Sequence, residues 1–137
     1  MRVFVDTSAW FAAANGNDIQ HERAKAALSG QAGLVTSTLV LAETWRLLHQ
    51  KLHWQAAETF WRIIRQGAAE LETVAAADME AAWLIGQRYP NQDFSLTDRT
   101  SFAMMERLQV LDVATFAKDF AIYRYGGNKS GAFRLIG

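Results

Sequence analysis

Residues 1–10 read MRVFVDTSAW, and the order of residue types within them decides the fold. Val3, Phe4 and Val5 form a short β-branched and aromatic run of the kind that favours a strand. An aspartate follows at once, and Thr7 and Ser8 then offer hydroxyl caps to an alanine-rich stretch with helical spacing. A strand that passes directly into a helix opens a βα unit, which needs a parallel neighbour reached by a crossover. Asp6 therefore stands at the C-terminal end of the first strand, where open parallel sheets bind their ligands. The competing reading is that Asp6 only caps the helix or begins a turn.

The same alternation runs through the chain. Apolar or β-branched runs recur at 33–36, 71–74 and 110–116, with another at 133–136. The stretches between them predict helices near 8–14, 20–29, 38–50, 54–67, 77–89 and 97–108. The expected class is α/β with a central parallel sheet. A chain of 137 residues, half of them apolar and 12% aromatic, has material for one buried core. No repeat, low-complexity tract or Pro/Gly-rich linker divides it, so a single domain over 1–137 is expected. The only proline, Pro90, precedes the acidic segment NQDFSLTD at 91–98 and marks one specialised loop.

Fourteen basic residues balance fourteen acidic ones, so no global field recruits nucleic acid or an anionic membrane, and any such contact must be local. The absence of cysteine excludes disulfides and thiolate metal sites. Val3–Val5 is too short an apolar run for a signal-peptide core, and no run reaches spanning length. A soluble, cytoplasmic protein with no membrane partner is expected.

Three further carboxylates need a reason. Glu43, in TLVLAETWRLLH at 38–49, shares a helical face with Leu39, Val40 and Leu47. Within an apolar stripe it must be paired, protonated or bound to a cation; otherwise it lies at the edge of the stripe or pairs with Arg46 or Lys51. Asp98 falls in the first turn of a helix that Ser95 or Thr97 caps, with Ser101 on the adjoining face, although a helix-start acid is often purely structural. Asp93 belongs to the entering loop, as a turn former or a support. Asp119 follows the run 110–116, so it either faces the crevice of Asp6 or simply starts a helix.

Taken together, three acids are placed at strand ends or helix starts on one sheet edge, and a fourth projects from a helix beside them. Carboxylates gathered without a counter-ion raise one another's pKa, so such a cluster suits a hard divalent cation, Mg²⁺ or Mn²⁺. The matching chemistry is phosphodiester hydrolysis.

VDTSAW (5–10), LAETWRLL (41–48), DFSLTDRTSFAMMERL (93–108) and TFAKDFAIYRYG (115–126) resemble, in order and spacing, the four signatures of PIN-domain nucleases of the VapC toxin type. The resemblance covers nearly the whole chain. It implies a three-layer α/β/α sandwich, a Mg²⁺ or Mn²⁺ site and an RNA substrate, with Asp6, Glu43 and Asp98 as the core metal-binding acids and Asp119 as the outer acid of the last motif. It also implies a homodimer held by a cognate antitoxin. The abundance of large apolar side chains, five tryptophans among them, points to subunit burial as well.

One departure stands out. The last motif commonly carries two aspartates flanking one residue, and here Ala117 takes the first of those places. Alanine cannot ligate, so a cation touched there should bind more weakly. This opens a rival reading, a PIN fold that binds RNA or protein without cutting. An aspartate-nucleophile phosphatase is disfavoured because DTSAW lacks the second acid such chemistry uses.

His21, His49 and His53 lack a companion ligand motif and are read as surface residues. The tryptophans at 45, 54, 61 and 83 are expected in core or interface stripes, with Trp45, Trp54 and Trp61 as an alternative antitoxin groove. Arg124, Lys129 and Arg134 in the acid-free tail either approach RNA phosphates or form a solvated basic end.

Overall fold

Val3–Val5 forms β1, completely buried, and every other strand is arranged around it. The computed structural model describes residues 1–30 and 33–137. The remaining strands are β2 (Leu34–Ser37), β3 (Glu70–Glu72), β4 (Asp112–Ala114) and β5 (Arg134–Ile136). All pair in parallel, in the order β3-β2-β1-β4-β5. Phe4 pairs with Val35 on one side and Val113 on the other. A strand covered on both faces reads as an unbroken apolar run, as VFV does.

The helices are α1 (Thr7–Ala14), α2 (His21–Ser29), α3 (Thr38–Lys51), α4 (Trp54–Arg65), α5 (Ala76–Arg88), α6 (Leu96–Leu108) and α7 (Asp119–Ile122). From β1 the chain moves outward through β2 to β3, then crosses back and continues outward through β4 to β5. Right-handed crossovers in opposite directions put their helices on opposite faces, giving the α/β/α sandwich. The reversal leaves a crevice between the C-terminal ends of β1 and β4, the switch point at which such sheets bind ligands.

Local chemistry fixes the elements that reach this crevice. Gly33 enters β2 at φ 78°, where a Cβ would lie 2.9 Å from the Met1 carbonyl oxygen, so only glycine lets the first two strands start side by side. The Trp10 indole N–H donates to Thr36 Oγ1, which in turn donates to the Val5 carbonyl, 3.2 and 3.0 Å; α1 is thereby tied to two strands beside Asp6. Ser37 caps α3 by accepting from the Val40 N–H. Ser95 and Asp98 form a reciprocal capping box at the start of α6.

Two contacts secure α6. The Arg107 guanidinium forks onto the buried Asp78 carboxylate of α5 at 2.8 and 2.9 Å, and Asp78 also accepts the Ala75 N–H at 2.8 Å. Phe102 stacks on Tyr123 at 4.4 Å and meets Phe94 and Phe120 edge-on at 5.1 and 4.9 Å. Such ring pairs are worth about 0.5–1.5 kcal/mol each beyond their burial, so the helix carrying Asp98 is clamped to the segment carrying Asp119.

The structure departs from the sequence expectations in two places and decides between alternatives in a third. The run 110–116 contracts to Asp112–Ala114, because Val110 closes the end of α6 through Met105 and the amides beyond Thr115 bond to side-chain hydroxyls. A short helix, α7, follows unforeseen. Of the tryptophans, Trp10 is the buried one; Trp54, Trp61 and Trp83 are exposed, and Trp45 is half-buried, donating to Glu58.

Candidate active site

Asp6 lies in the crevice between β1 and β4, and it is only 3% exposed. It holds the position that caps α1, yet its side chain makes no cap hydrogen bond. Instead Oδ2 accepts from Ser8 Oγ and from Thr115 Oγ1, both at 3.0 Å. Those two hydroxyls are 3.2 Å apart, and each takes a backbone N–H from the β4–α7 loop, Ser8 from Phe116 and Thr115 from Ala117. An aspartate present only to cap would spend its carboxylate on the helix amides; this one is oriented by hydroxyls from the first turn of α1 and from the residue after β4. Burial raises its pKa, hydrogen bonds from Thr115, Ser8 and the Thr7 backbone oppose that, and the Glu43 charge adds to the rise.

Asp98, half-buried in the first turn of α6, is pushed up to about 7. Burial is the largest cause, followed by the Asp119 carboxylate beside it and the charge of Asp6, with the bond to Ser95 opposing. Asp119 is the first residue of α7 rather than a strand end, and the Phe102 cluster holds that helix against α6. Glu43 is exposed, not sunk in the apolar stripe: Val40, Thr44 and Leu48 form the buried face of α3 and Glu43 projects beside it. Its charge still reaches Asp6. Asp93 is exposed in the loop before α6.

The four acids thus act on one another in pairs, Asp6 with Glu43 and Asp98, and Asp98 with Asp119. Among the described residues no three stand close enough to grip one ion without side-chain movement. The donor set itself fits a hard dication, being all carboxylate oxygen. Three buried hydroxyls without a protein partner, Thr7, Thr44 and Ser101, adjoin Asp6, adjoin Glu43 and follow Asp98 by one turn, in that order. Such groups suit a hydrated ion that brings its own water. Thr7 is therefore not the cap that the sequence suggests.

Ser8 and Thr115 escaped the sequence reading as site residues. The signal was present, since both belong to quoted motifs, but hydroxyls beside an aspartate read first as caps. The histidines take structural posts: His21 bonds the Ala12 carbonyl, His53 caps α4 and His49 stacks on Trp45. In the tail, Arg134 pairs with Asp112 at the opposite end of the strands from Asp6. Arg124 folds back on carbonyls of α7 and Lys129 sits over Tyr89. Arg134 is thus removed from the expected phosphate contacts.

The description of the PIN domain family matches residues 3–125; the chain belongs to that family and is of the VapC type within it. Over 120 residues it is 35% identical to the 23S rRNA-specific endonuclease VapC20 of Mycobacterium tuberculosis, in two strains, covering 87% of this chain and 92% of the relative. The crystal structure of that organism's VapC20, described as a sarcin-ricin loop cleaving toxin, superposes with a TM-score of 0.84 at 33% identity, over 88% of this chain and 93% of the other. VapBC2 from Rickettsia felis, solved on a DNA fragment from its promoter, matches over the full length of both chains with a TM-score of 0.64. At 12% identity that likeness concerns the fold alone. Nucleases of the PIN family depend on a divalent cation.

Proposed function

We propose that this chain is an endoribonuclease, the toxin half of a toxin–antitoxin pair, that uses Mg²⁺ or Mn²⁺ held by Asp6, Glu43, Asp98 and Asp119. The observation that carries this reading is the placement of Asp6, Asp98 and Asp119 around one switch-point crevice, with Asp98 raised to about 7 by burial first and then by the other two carboxylates. Acids that hinder one another's ionisation have a use when a cation relieves them. The bound cation supplies the acidity of the attacking water and offsets charge on the leaving oxygen.

The chain's own residues set the conditions. Thr115 and Ser8 fix Asp6 through its Oδ2. Asp98 holds or releases a proton near neutrality. Glu43, exposed, moves into place at small cost.

RNA as substrate is supported by the VapC20 relatives, whose name makes 23S rRNA the first molecule to test. A cognate antitoxin is supported by the VapC kinship. A homodimer is supported by Met79, Trp83 and Leu84, exposed on α5. Among the described residues no helix is long and apolar enough to cross a membrane, and cytoplasmic action is supported by relatives named for 23S rRNA. The decisive experiment is cleavage of ribosomal RNA by purified protein with Mg²⁺, Mn²⁺ or EDTA. Cleavage that persists in EDTA, or no cleavage with either ion, overturns the reading. In the second case Ala117 favours the alternative, a PIN fold that binds RNA without cutting it.

A further inference from the structure

A second cavity opens beside the acids, between α2 and the β4–α7 loop. It measures about 310 Å³ and is lined by Gln20, Arg23, Thr115, Phe116, Ala117 and Lys118, with Leu135 and Gly137 at its margin. Its wall is shared with the acidic crevice, because Thr115 lines the cavity and also donates to Asp6. The lining contains two cationic side chains and no acidic one, the reverse of the crevice next door. Arg23 is preorganised: its guanidinium lies over the Phe116 ring at 5.5 Å, donates to Gln20 Oε1 at 3.1 Å and bonds the backbone oxygen of Gly137. Phe116 is itself held by the Ser8 hydroxyl that also bonds Asp6. Neither Arg23 nor Lys118 pairs with an acidic side chain among the described residues. In a chain of zero net charge, two cations held beside a cluster of anions need a reason.

We infer that this cavity is a backbone subsite, in which Arg23 and Lys118 hold an RNA phosphate neighbouring the one at the acids. A planar guanidinium braced on an aromatic ring is suited to phosphate oxygens. The register of the RNA follows, since the subsite and Asp6 are tied through Thr115 and Ser8. The inference rests on the nuclease reading only for what happens at the acids; the subsite itself is a matter of binding.

The test is therefore binding, read by fluorescence anisotropy with a short single-stranded RNA in EDTA, across a fourfold range of KCl. Each phosphate contact in single strands contributes about 0.7 to the slope of log K against log salt. Raising KCl fourfold should cost the wild type about 2.6-fold more affinity than Arg23→Gln/Lys118→Gln, the effect of one neutralised phosphate. Lys118→Gln alone, on an exposed side chain, should show about half the slope change. Lys25→Gln/Arg65→Gln removes equal charge elsewhere and should keep the wild-type slope. An unchanged slope in the first double variant, or an equal loss in the control, overturns the subsite. Cleavage is scored separately. A chain that cuts nothing but shows the slope change keeps the subsite and loses the nuclease reading; one that cuts RNA with an unchanged slope does the opposite.

Discussion

Thr115 donates its hydroxyl to Asp6 Oδ2 at 3.0 Å across 109 positions of chain, directly above the backbone bond from the Asp6 N–H to the Ala114 carbonyl. The β1–β4 ladder thus ends on the acid it serves. Position and orientation of Asp6 both derive from pairing of the two central strands, so chemistry at this residue and the integrity of the sheet are separable by substitution. Asp6→Asn keeps an acceptor for Thr115 and Ser8 but removes the charge; it should retain or gain stability, because burying the carboxylate is unfavourable, while losing metal binding and cleavage. Thermal melts beside RNA cleavage assays check this, and a large loss of stability would make Asp6 a structural residue instead.

Glu43 offers a sharper contrast because it is exposed. Glu43→Gln should change stability by less than about 0.5 kcal/mol, the usual range for surface positions, yet reduce cleavage by at least tenfold. Calorimetric titration with Mn²⁺ should show weaker binding. Unaltered cleavage would remove Glu43 from the ligand set.

The raised Asp98 carboxyl gives the metal-free protein a definite pH dependence. Its value in the fold, about 7, exceeds the unfolded value of about 3.9. The folded state therefore holds the extra proton, and the associated stability is complete below the unfolded value and lost as pH rises through about 7. A cation competes with that proton, so Mn²⁺ affinity should climb between pH 6 and 8. Melting curves in EDTA and in Mn²⁺ at both ends of the range check it: the EDTA curve falls with pH and the Mn²⁺ curve does not.

Much of this was readable from sequence, because the controlling signals are local. VFV followed by aspartate specifies a buried strand and its exit, Ser95 and Asp98 stand at capping-box spacing, and the alternation of runs gives the sheet. Less local features were not readable. Whether Glu43 faces the core or its margin depends on how far α3 rotates against its neighbours, and a stripe containing Val40, Leu47 and Leu48 does not fix that angle. The role of Thr115 depends on a partner at the other end of the chain. Trp54, Trp61 and Trp83 stood between core and interface in the sequence, since a tryptophan on a helix surface has the same helical spacing as one in the core, and their exposure removes the core alternative.

The Asp78–Arg107 pair tests scaffold against site. Burial raises the Asp78 pKa, but the Arg107 hydrogen bonds, the Ala75 N–H and the Arg107 charge more than reverse this and leave it lowered. Its contribution is thus present above the unfolded value and lost as pH falls through the folded one. Arg107→Met strands the buried carboxylate and should cost about 2–4 kcal/mol, toward the lower end because Arg107 is itself partly exposed. Cleavage per folded molecule should be unchanged well below the melting temperature. Loss of cleavage without loss of stability would place Asp78 in the chemistry.

Ala117 is the position at which the acid count of the last motif can be tested. It sits in the loop whose amides bond Ser8 and Thr115, with its own N–H given to Thr115 Oγ1 at 3.0 Å, so its backbone is held one hydrogen bond away from Asp6. A carboxylate at this position would project from a loop already anchored to the site, at a half-buried place two residues before Asp119. A divalent cation needs anionic ligands to offset its dehydration, and the site has one fewer than the motif normally supplies. Ala117→Asp should therefore raise Mn²⁺ affinity and RNA cleavage, while Asp6→Asn in the same background abolishes the gain. The added charge should also push Asp98 higher in the metal-free form, moving the pH dependence of the EDTA melts upward. If Ala117→Asp shifts neither metal binding nor that pH profile, position 117 does not face the acids, and Asp119 alone serves as the acid of the last motif.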